Sequence, residues 1–135
     1  MSFILEITPR FYETDAFGHI NNTAITGWFE AAREPVFRVF SPEMDLQALP
    51  LILRRVEIDY VAQACYGKSV QVYTAIESVR NSSFVVIQEA FQDDVCIAYG
   101  RAVQVYFDFK TKKSLSLPDP YRERLEQLVK SCQQV

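Results

Sequence analysis

The chain has 135 residues, 49% of them hydrophobic and 13% aromatic, and a formal net charge of −3. That length suits one domain over residues 1–135, and the composition excludes a disordered chain. The acidic balance offers no basic field for nucleic acid, and no apolar run approaches the roughly 18–20 residues needed to cross a bilayer.

The opening Met-Ser-Phe-Ile-Leu-Glu lacks the basic segment and apolar core of a signal peptide, so a cytoplasmic location is the default expectation. Phe3, Leu5, Ile7 and Phe11 alternate with polar positions, which predicts a first strand over 3–12. Pro9 confines that strand to an edge or ends it early. A loop over Asp15–His19 follows. From Asn22 onward Ile25, Trp28, Phe29, Ala32 and Val36 recur at helical spacing, with Asn21 or Asn22 as the N-cap. Pro35 cannot continue the helix and predicts a kink or break near Ala32–Glu34.

Residues 41–50 form a connecting loop. Leu51–Val61 reads as a second strand, and strict alternation puts Ile52, Arg54, Val56, Ile58 and Tyr60 on one side. Leu51, Leu53, Arg55, Glu57, Asp59 and Val61 then take the other. After a turn at Cys65–Lys68, strands are predicted over Val70–Val79, Phe84–Phe91 and Val95–Phe109, joined by turns at Asn81-Ser82-Ser83 and Asp93-Asp94. The last strand carries Ile97, Tyr99, Arg101, Val103 and Val105 on one face. Its other face holds Cys96, Ala98, Gly100, Ala102 and Gln104, small enough for a buried helix to approach closely. Asp119 is expected to cap a closing helix with Pro120 in its first position and a stripe of Tyr121, Leu125, Leu128 and Val129.

Consecutive strands joined by short turns predict an antiparallel sheet and an α+β fold. One sheet covering one helix leaves edges and aromatic residues, Phe84, Tyr99 and Phe107 among them, to be covered by self-association. Cys65, Cys96 and Cys132 are widely spaced and odd in number, and His19 is the only histidine. They make neither a disulfide framework nor a metal spacing, so three reduced thiols, no metal and no cofactor are expected.

Chemistry concentrates in one stretch, Arg10-Phe-Tyr-Glu-Thr-Asp15-Ala-Phe-Gly18-His19-Ile-Asn21-Asn22, followed by Trp28-Phe-Glu-Ala-Ala-Arg33. A carboxylate, a histidine and a helix N-terminus fall within eight positions of one another. Unpaired amides at a helix start can hold a developing negative charge while a nearby carboxylate works. The same Asp, Gly and Asn also suit a junction that serves only turn and cap geometry, and spacing leaves both open.

This stretch resembles the opening signature of hot-dog acyl-CoA thioesterases of the 4-hydroxybenzoyl-CoA thioesterase-like branch. Glu57-Ile-Asp-Tyr60, Gly67-Lys-Ser-Val70 and Ser82-Ser83-Phe84 fall where such enzymes place similar segments. The resemblance implies an antiparallel sheet wrapped around one long helix, a homodimer or homotetramer, and acyl-CoA as substrate. It places the catalytic carboxylate at Asp15, as general base or nucleophile, and the oxyanion donor at the Asn22 amide. His19 and Asn21 become candidates for orienting water or substrate.

Ile25 stands where many members of that branch carry Tyr, which points to an aliphatic rather than a hydroxylated aromatic acyl group. Glu30 and Glu34 are acids on the helix, where a related branch carries its carboxylate, but Glu30 is expected instead to pair with Arg33 or a neighbour. For the CoA phosphates Arg54, Arg55, Lys68, Arg80, Arg101, Lys110, Lys112 and Lys113 are available, and Arg80, Ser82 and Ser83 form the preferred ligand-side turn. A non-catalytic acyl-CoA-binding hot-dog domain and a hot-dog hydratase or dehydratase are the alternatives.

Overall fold

The structure is a computed structural model and describes residues 3–133. Strand β1 (Phe3–Ile7) leads through a 3-10 turn at Phe11–Glu13 to helix α1 (Asn22–Ala32) and a short helix α2 (Glu34–Phe37). Then follow β2 (Leu51–Tyr60), β3 (Val70–Val79), β4 (Ser83–Gln92), β5 (Val95–Asp108), the two-residue β6 (Lys113–Ser114) and helix α3 (Asp119–Gln133). All strands pair antiparallel in one sheet of order β1-β3-β4-β5-β2, with β6 added to β5. The α+β architecture expected from the strand run is therefore present. Among the described residues no helix is long and apolar enough to cross a membrane.

Strand β1 stops at Ile7, short of the predicted 3–12. Pro9 has no N–H to give to a ladder, and the Arg10 amide is taken by the Glu13 carboxylate at 2.8 Å. That bond winds Phe11–Glu13 into a turn and leaves Phe11 exposed, its ring edge-on to Tyr66. As expected of a strand carrying a proline at its end, β1 lies on the sheet edge beside β3.

Helix α1 starts where Asn21 accepts the Thr23 amide on its side-chain oxygen at 3.0 Å. Ile25, Trp28, Phe29 and Ala32 are all buried beneath it, each large side chain contributing about 1.5–3 kcal/mol by leaving water. Arg33 ends the helix, and Pro35 falls in the first turn of α2, where its missing N–H is harmless. The small face of β5 receives α1 as predicted. A Cβ at Gly100 would stand 3.2 Å from the Phe29 ring.

Two β-bulges alter the predicted alternation. In β2 the pairing to β5 slips between Leu53 and Arg55, leaving Arg54 as the extra residue. The slip reverses the strand's faces, so Leu51 and Leu53 share the helix side with Val56, Ile58 and Tyr60 instead of opposing them. In β5 a second slip leaves Ile97 unpaired between Cys96 and Ala98. Ile97 thereby turns into the core beside Phe29 rather than lying on the outer face with Tyr99.

The core has two parts on the helix side of the sheet. One gathers Ile20, Ile25, Trp28 and Phe29 against Val70, Val72 and Ala90. The other gathers Val36, Phe40, Ile76, Phe84 and Val86 beneath Leu125 of α3. Phe84, one of the aromatics expected to need cover from a second copy, is fully buried here and stacks on Phe40 at 5.6 Å. Tyr99 does remain exposed. Asp119 sits inside the first turn of α3 rather than ahead of it, since the Pro118 carbonyl accepts from Tyr121 and Arg122. The side chain of Cys132 lies outside the described residues.

Arg33 is buried, with 4% of its surface exposed. Its Nη1 donates to Gln88 Oε1 at 3.2 Å, while Gln88 Nε2 donates to the Phe29 carbonyl at 2.7 Å and the Thr74 hydroxyl at 3.0 Å. The Arg33 Nε has no partner among the described residues, and burial lowers the guanidinium's pKa against the pull of Glu30. No Glu30–Arg33 ion pair forms among the described residues; Glu34 instead holds Arg38 at 2.6 Å, one turn along.

Candidate active site

Asp15 heads a tight loop tied by its own side chain. Its Oδ1 accepts from the amides of Phe17 at 2.8 Å and His19 at 3.1 Å, and its N–H donates to the His19 carbonyl at 2.7 Å. Gly18 closes the turn at a φ of 82°, in the left-handed region where a Cβ is strained. Asp15 Oδ2 has no hydrogen-bond partner among the described residues and remains available. The carboxylate is thus fixed by one oxygen and open at the other.

The loop then runs beside the segment that joins β2 to β3. His19 bridges to Cys65, and the Ile20 amide donates to the Ala64 carbonyl at 2.9 Å. One residue further, the Asn21 amide donates to the Glu13 carbonyl at 2.7 Å, so the start of α1 is anchored from both sides. Asn21 is the N-cap, with its side chain engaged by the Thr23 amide and hydroxyl. Asn22 is the first helical residue, and its N–H has no acceptor among the described residues. An unpaired amide at the positive end of α1 is suited to an anion.

Asp15, Asn22 and Ile25 line one cleft of about 480 Å³, together with Ile20, Tyr60 and Ala64. Ile20, Ile25 and Ala64 give it an apolar floor. Tyr60 also lines it, with its hydroxyl 3.2 Å from the Thr26 hydroxyl and 3.4 Å from the Asn22 carbonyl. Tyr60 lies on the face of β2 that pairs alongside Ala98, Gly100 and Ala102, the face that receives α1.

Three of the predicted site residues, Asp15, Asn22 and Ile25, meet at this cleft. His19 and Asn21 join it through backbone pairing and capping, and no hydrogen bond of the His19 ring is present among the described residues. Arg80, Ser82 and Ser83 are not brought there. Their turn is held by an Arg80 N–H to Ser83 carbonyl bond of 2.7 Å and by Tyr106 donating to the Ser82 carbonyl at 2.8 Å. It lies at the far end of β3, about 30 Å from Val70 at 3.3 Å per residue, because an antiparallel strand leads away from where it began.

Of the basic side chains, Lys68 is paired with Asp93 at 2.6 Å, Arg55 with Glu57 at 2.8 Å and Arg101 with Glu77 at 2.6 Å. Tyr60, the wall at 61–64 and Gln92 were not singled out by the sequence. Gln92 grips the residues just after that wall through three hydrogen bonds to Cys65 and Lys68. Among the described residues no group of three or more His, Cys, Asp or Glu side chains is placed to hold a metal ion.

An antiparallel sheet wrapped on one buried helix is the architecture of the hot-dog class of α+β proteins. The sequence profile of the thioesterase-like superfamily matches residues 9–125, and the chain belongs to that superfamily. It is 42% identical to a predicted thioesterase from Bacillus stearothermophilus, with a TM-score of 0.93 over 96% of this chain and 97% of that one. It is also similar to a thioesterase from Thermus thermophilus solved with coenzyme A and Zn. There the identity is 26%, the coverage 94% of this chain and 93% of that one, and the TM-score 0.84. The protein YsmA of Bacillus subtilis (strain 168) is 26% identical over 126 residues, which is 92% of this chain and 85% of YsmA.

Proposed function

We propose that the chain hydrolyses acyl-CoA thioesters at the Asp15–Asn22 cleft. The observation that carries this is the meeting of a half-free carboxylate and an unpaired helix-start amide across one cleft with an apolar floor. In the general-base route, Asp15 Oδ2 takes a proton from water while the water oxygen bonds to the thioester carbonyl carbon. The carbonyl oxygen becomes an oxyanion and receives the Asn22 N–H, reinforced by the dipole of α1. Collapse breaks the C–S bond, and the departing CoA thiolate takes the proton held on Asp15. In the nucleophilic route Oδ2 bonds to the same carbon and the C–S bond breaks to release CoA thiolate. Water then hydrolyses the mixed anhydride to the free acid and restores Asp15. The bound coenzyme A of the Thermus protein is in keeping with either.

Ile20 and Ile25 at the floor favour an aliphatic acyl group. Strand β2 is a sheet edge that leaves Ile52, Leu53 and Val56 exposed, and a second copy pairing there would cover it. The working form is therefore a homodimer or a homotetramer, and light scattering of an active monomer at micromolar concentration would contradict it.

Free thiol release from short-chain, long-chain and aromatic acyl-CoAs tests the activity. Asp15→Asn keeps the Oδ1 acceptor for Phe17 and His19 and removes the base, so turnover should drop by about 100- to 10,000-fold with the fold intact. A folded Asp15→Asn protein with wild-type turnover removes Asp15 from the chemistry. Tight acyl-CoA binding without thiol release would make the chain a binding domain, and hydration of an enoyl-CoA would make it a hydratase.

A further inference from the structure

We infer that Gln92 is a positioning residue for the Asp15 cleft, an inference that rests on the thioesterase reading of that cleft. Gln92 is the last residue of β4 and only 7% exposed. It faces the segment between Tyr60 and Val70, which belongs to no named strand and whose first part, residues 61–64, lines the cleft. Its Oε1 accepts the Cys65 amide at 2.9 Å, and its Nε2 donates to the Cys65 carbonyl at 2.9 Å and the Lys68 carbonyl at 3.1 Å.

The side chain thus pairs with Cys65 much as a neighbouring strand would, and its remaining proton fixes the segment three residues on. A carboxamide is the one neutral side-chain group that accepts from an N–H while donating to two carbonyls. On its other side the same segment holds the catalytic loop, through the His19–Cys65 bridge and the Ile20 amide on the Ala64 carbonyl at 2.9 Å. His19 then donates to Asp15 Oδ1 and accepts the Asp15 amide. A continuous run of backbone pairing therefore leads from a buried glutamine to the carboxylate and to the first turn of α1. The Lys68–Asp93 ion pair spans the same gap, but both side chains are mostly exposed, and such pairs hold weakly.

Without the carboxamide the segment keeps its covalent ends and loses its inner grip, so the wall and the catalytic loop relax together. The test is Gln92→Met, which keeps length and apolar stem but neither donor. Amide hydrogen exchange should lose protection at Ile20 and Cys65, and kcat should fall about 10- to 100-fold with a smaller change in KM, as for a misplaced reacting group. A purely structural role would lower the melting temperature and leave kcat per folded molecule as it was. Gln92→Glu, which keeps the acceptor for Cys65 and loses both donors, gives the same reading should the Met variant not fold. Asp93→Asn, which removes only the exposed ion pair, should leave exchange unchanged.

Unaltered exchange at Ile20 and Cys65, or lost protection with wild-type kcat, overturns the role of Gln92. A wild-type protein that releases thiol from none of the acyl-CoAs overturns the thioesterase reading instead. The exchange measurement then still decides whether Gln92 holds the loop.

Discussion

Gly100→Ala offers a measure of how tightly the sheet, the helix and the cleft are coupled. The added methyl would stand 2.8 Å from the Glu57 carbonyl oxygen, 3.2 Å from the Phe29 ring and 3.3 Å from the Ile58 side chain. Carbon and oxygen normally keep about 3.3 Å apart, so β2 must retreat by roughly half an ångström. The obstacle is main chain paired to β5, which cannot rotate aside as a side chain can. Overpacking of this kind costs about 1–3 kcal/mol, and the entropy gained by replacing glycine in a strand returns about 0.5–1. A net loss of about 1–2 kcal/mol follows, which lowers the melting temperature of a domain this size by about 3–8 °C. Tyr60 lies two residues beyond Ile58 on the same face of β2, and Phe29 anchors α1, so both walls of the cleft shift. Urea unfolding should show a lower midpoint at unchanged slope, and thiol release per folded molecule should fall. An unchanged midpoint would refute the steric argument. A lower midpoint with unchanged turnover would refute the coupling of sheet to cleft.

Ile25→Tyr places a phenol where the cleft floor is aliphatic and should move the preference toward aromatic or shorter acyl-CoAs; an unchanged ratio in the substrate panel would count against Ile25 as a floor residue. Asp93 and Asp94 turn the β4–β5 hairpin at φ values of 51° and 62°. Asp94→Gly removes left-handed strain and one of two adjacent like charges, for a gain of about 0.5–1 kcal/mol in thermal or urea unfolding. Burial and the nearby Glu89 raise the Cys96 thiol above the usual cysteine range, so less of it is thiolate at a given pH. Iodoacetamide followed by peptide mass spectrometry should therefore label the exposed Cys65 before Cys96, and preferential labelling of Cys96 would contradict that placement.

Much of this fold is written locally. The stripe from Ile25 to Ala32, the break before Pro35 and the small face of β5 each depend on residues a few positions apart, and each appears where periodicity placed it. The bulges at Arg54 and Ile97 carry no such mark, because one extra residue in a ladder is defined by the partner strand. In β2 strict alternation therefore groups Val56, Ile58 and Tyr60 correctly and misplaces only the residues before the bulge, Leu51, Ile52 and Leu53. The site divides along the same line. Asp15, Asn22 and Ile25 lie close in sequence and are legible together, whereas Ala64 and Gln92 arrive from other parts of the chain. That Ser82 and Ser83 sit at the sheet's other end from Asp15 is shown only by the direction of β3.

The buried Arg33 acts as a ruler for α1. A helix held only by an apolar stripe can slip along a sheet, and a slip of one turn moves it about 5.4 Å. Such a slip would leave the guanidinium and the Gln88 carboxamide facing hydrocarbon, with the Phe29 carbonyl and the Thr74 hydroxyl deprived of their donor. Only one axial setting satisfies Gln88, and that setting fixes where the other end of the same rod emerges. The Asn22 amide lies eleven residues earlier, about 16 Å at 1.5 Å per residue, so its place in the cleft it shares with Asp15 is gauged from Arg33.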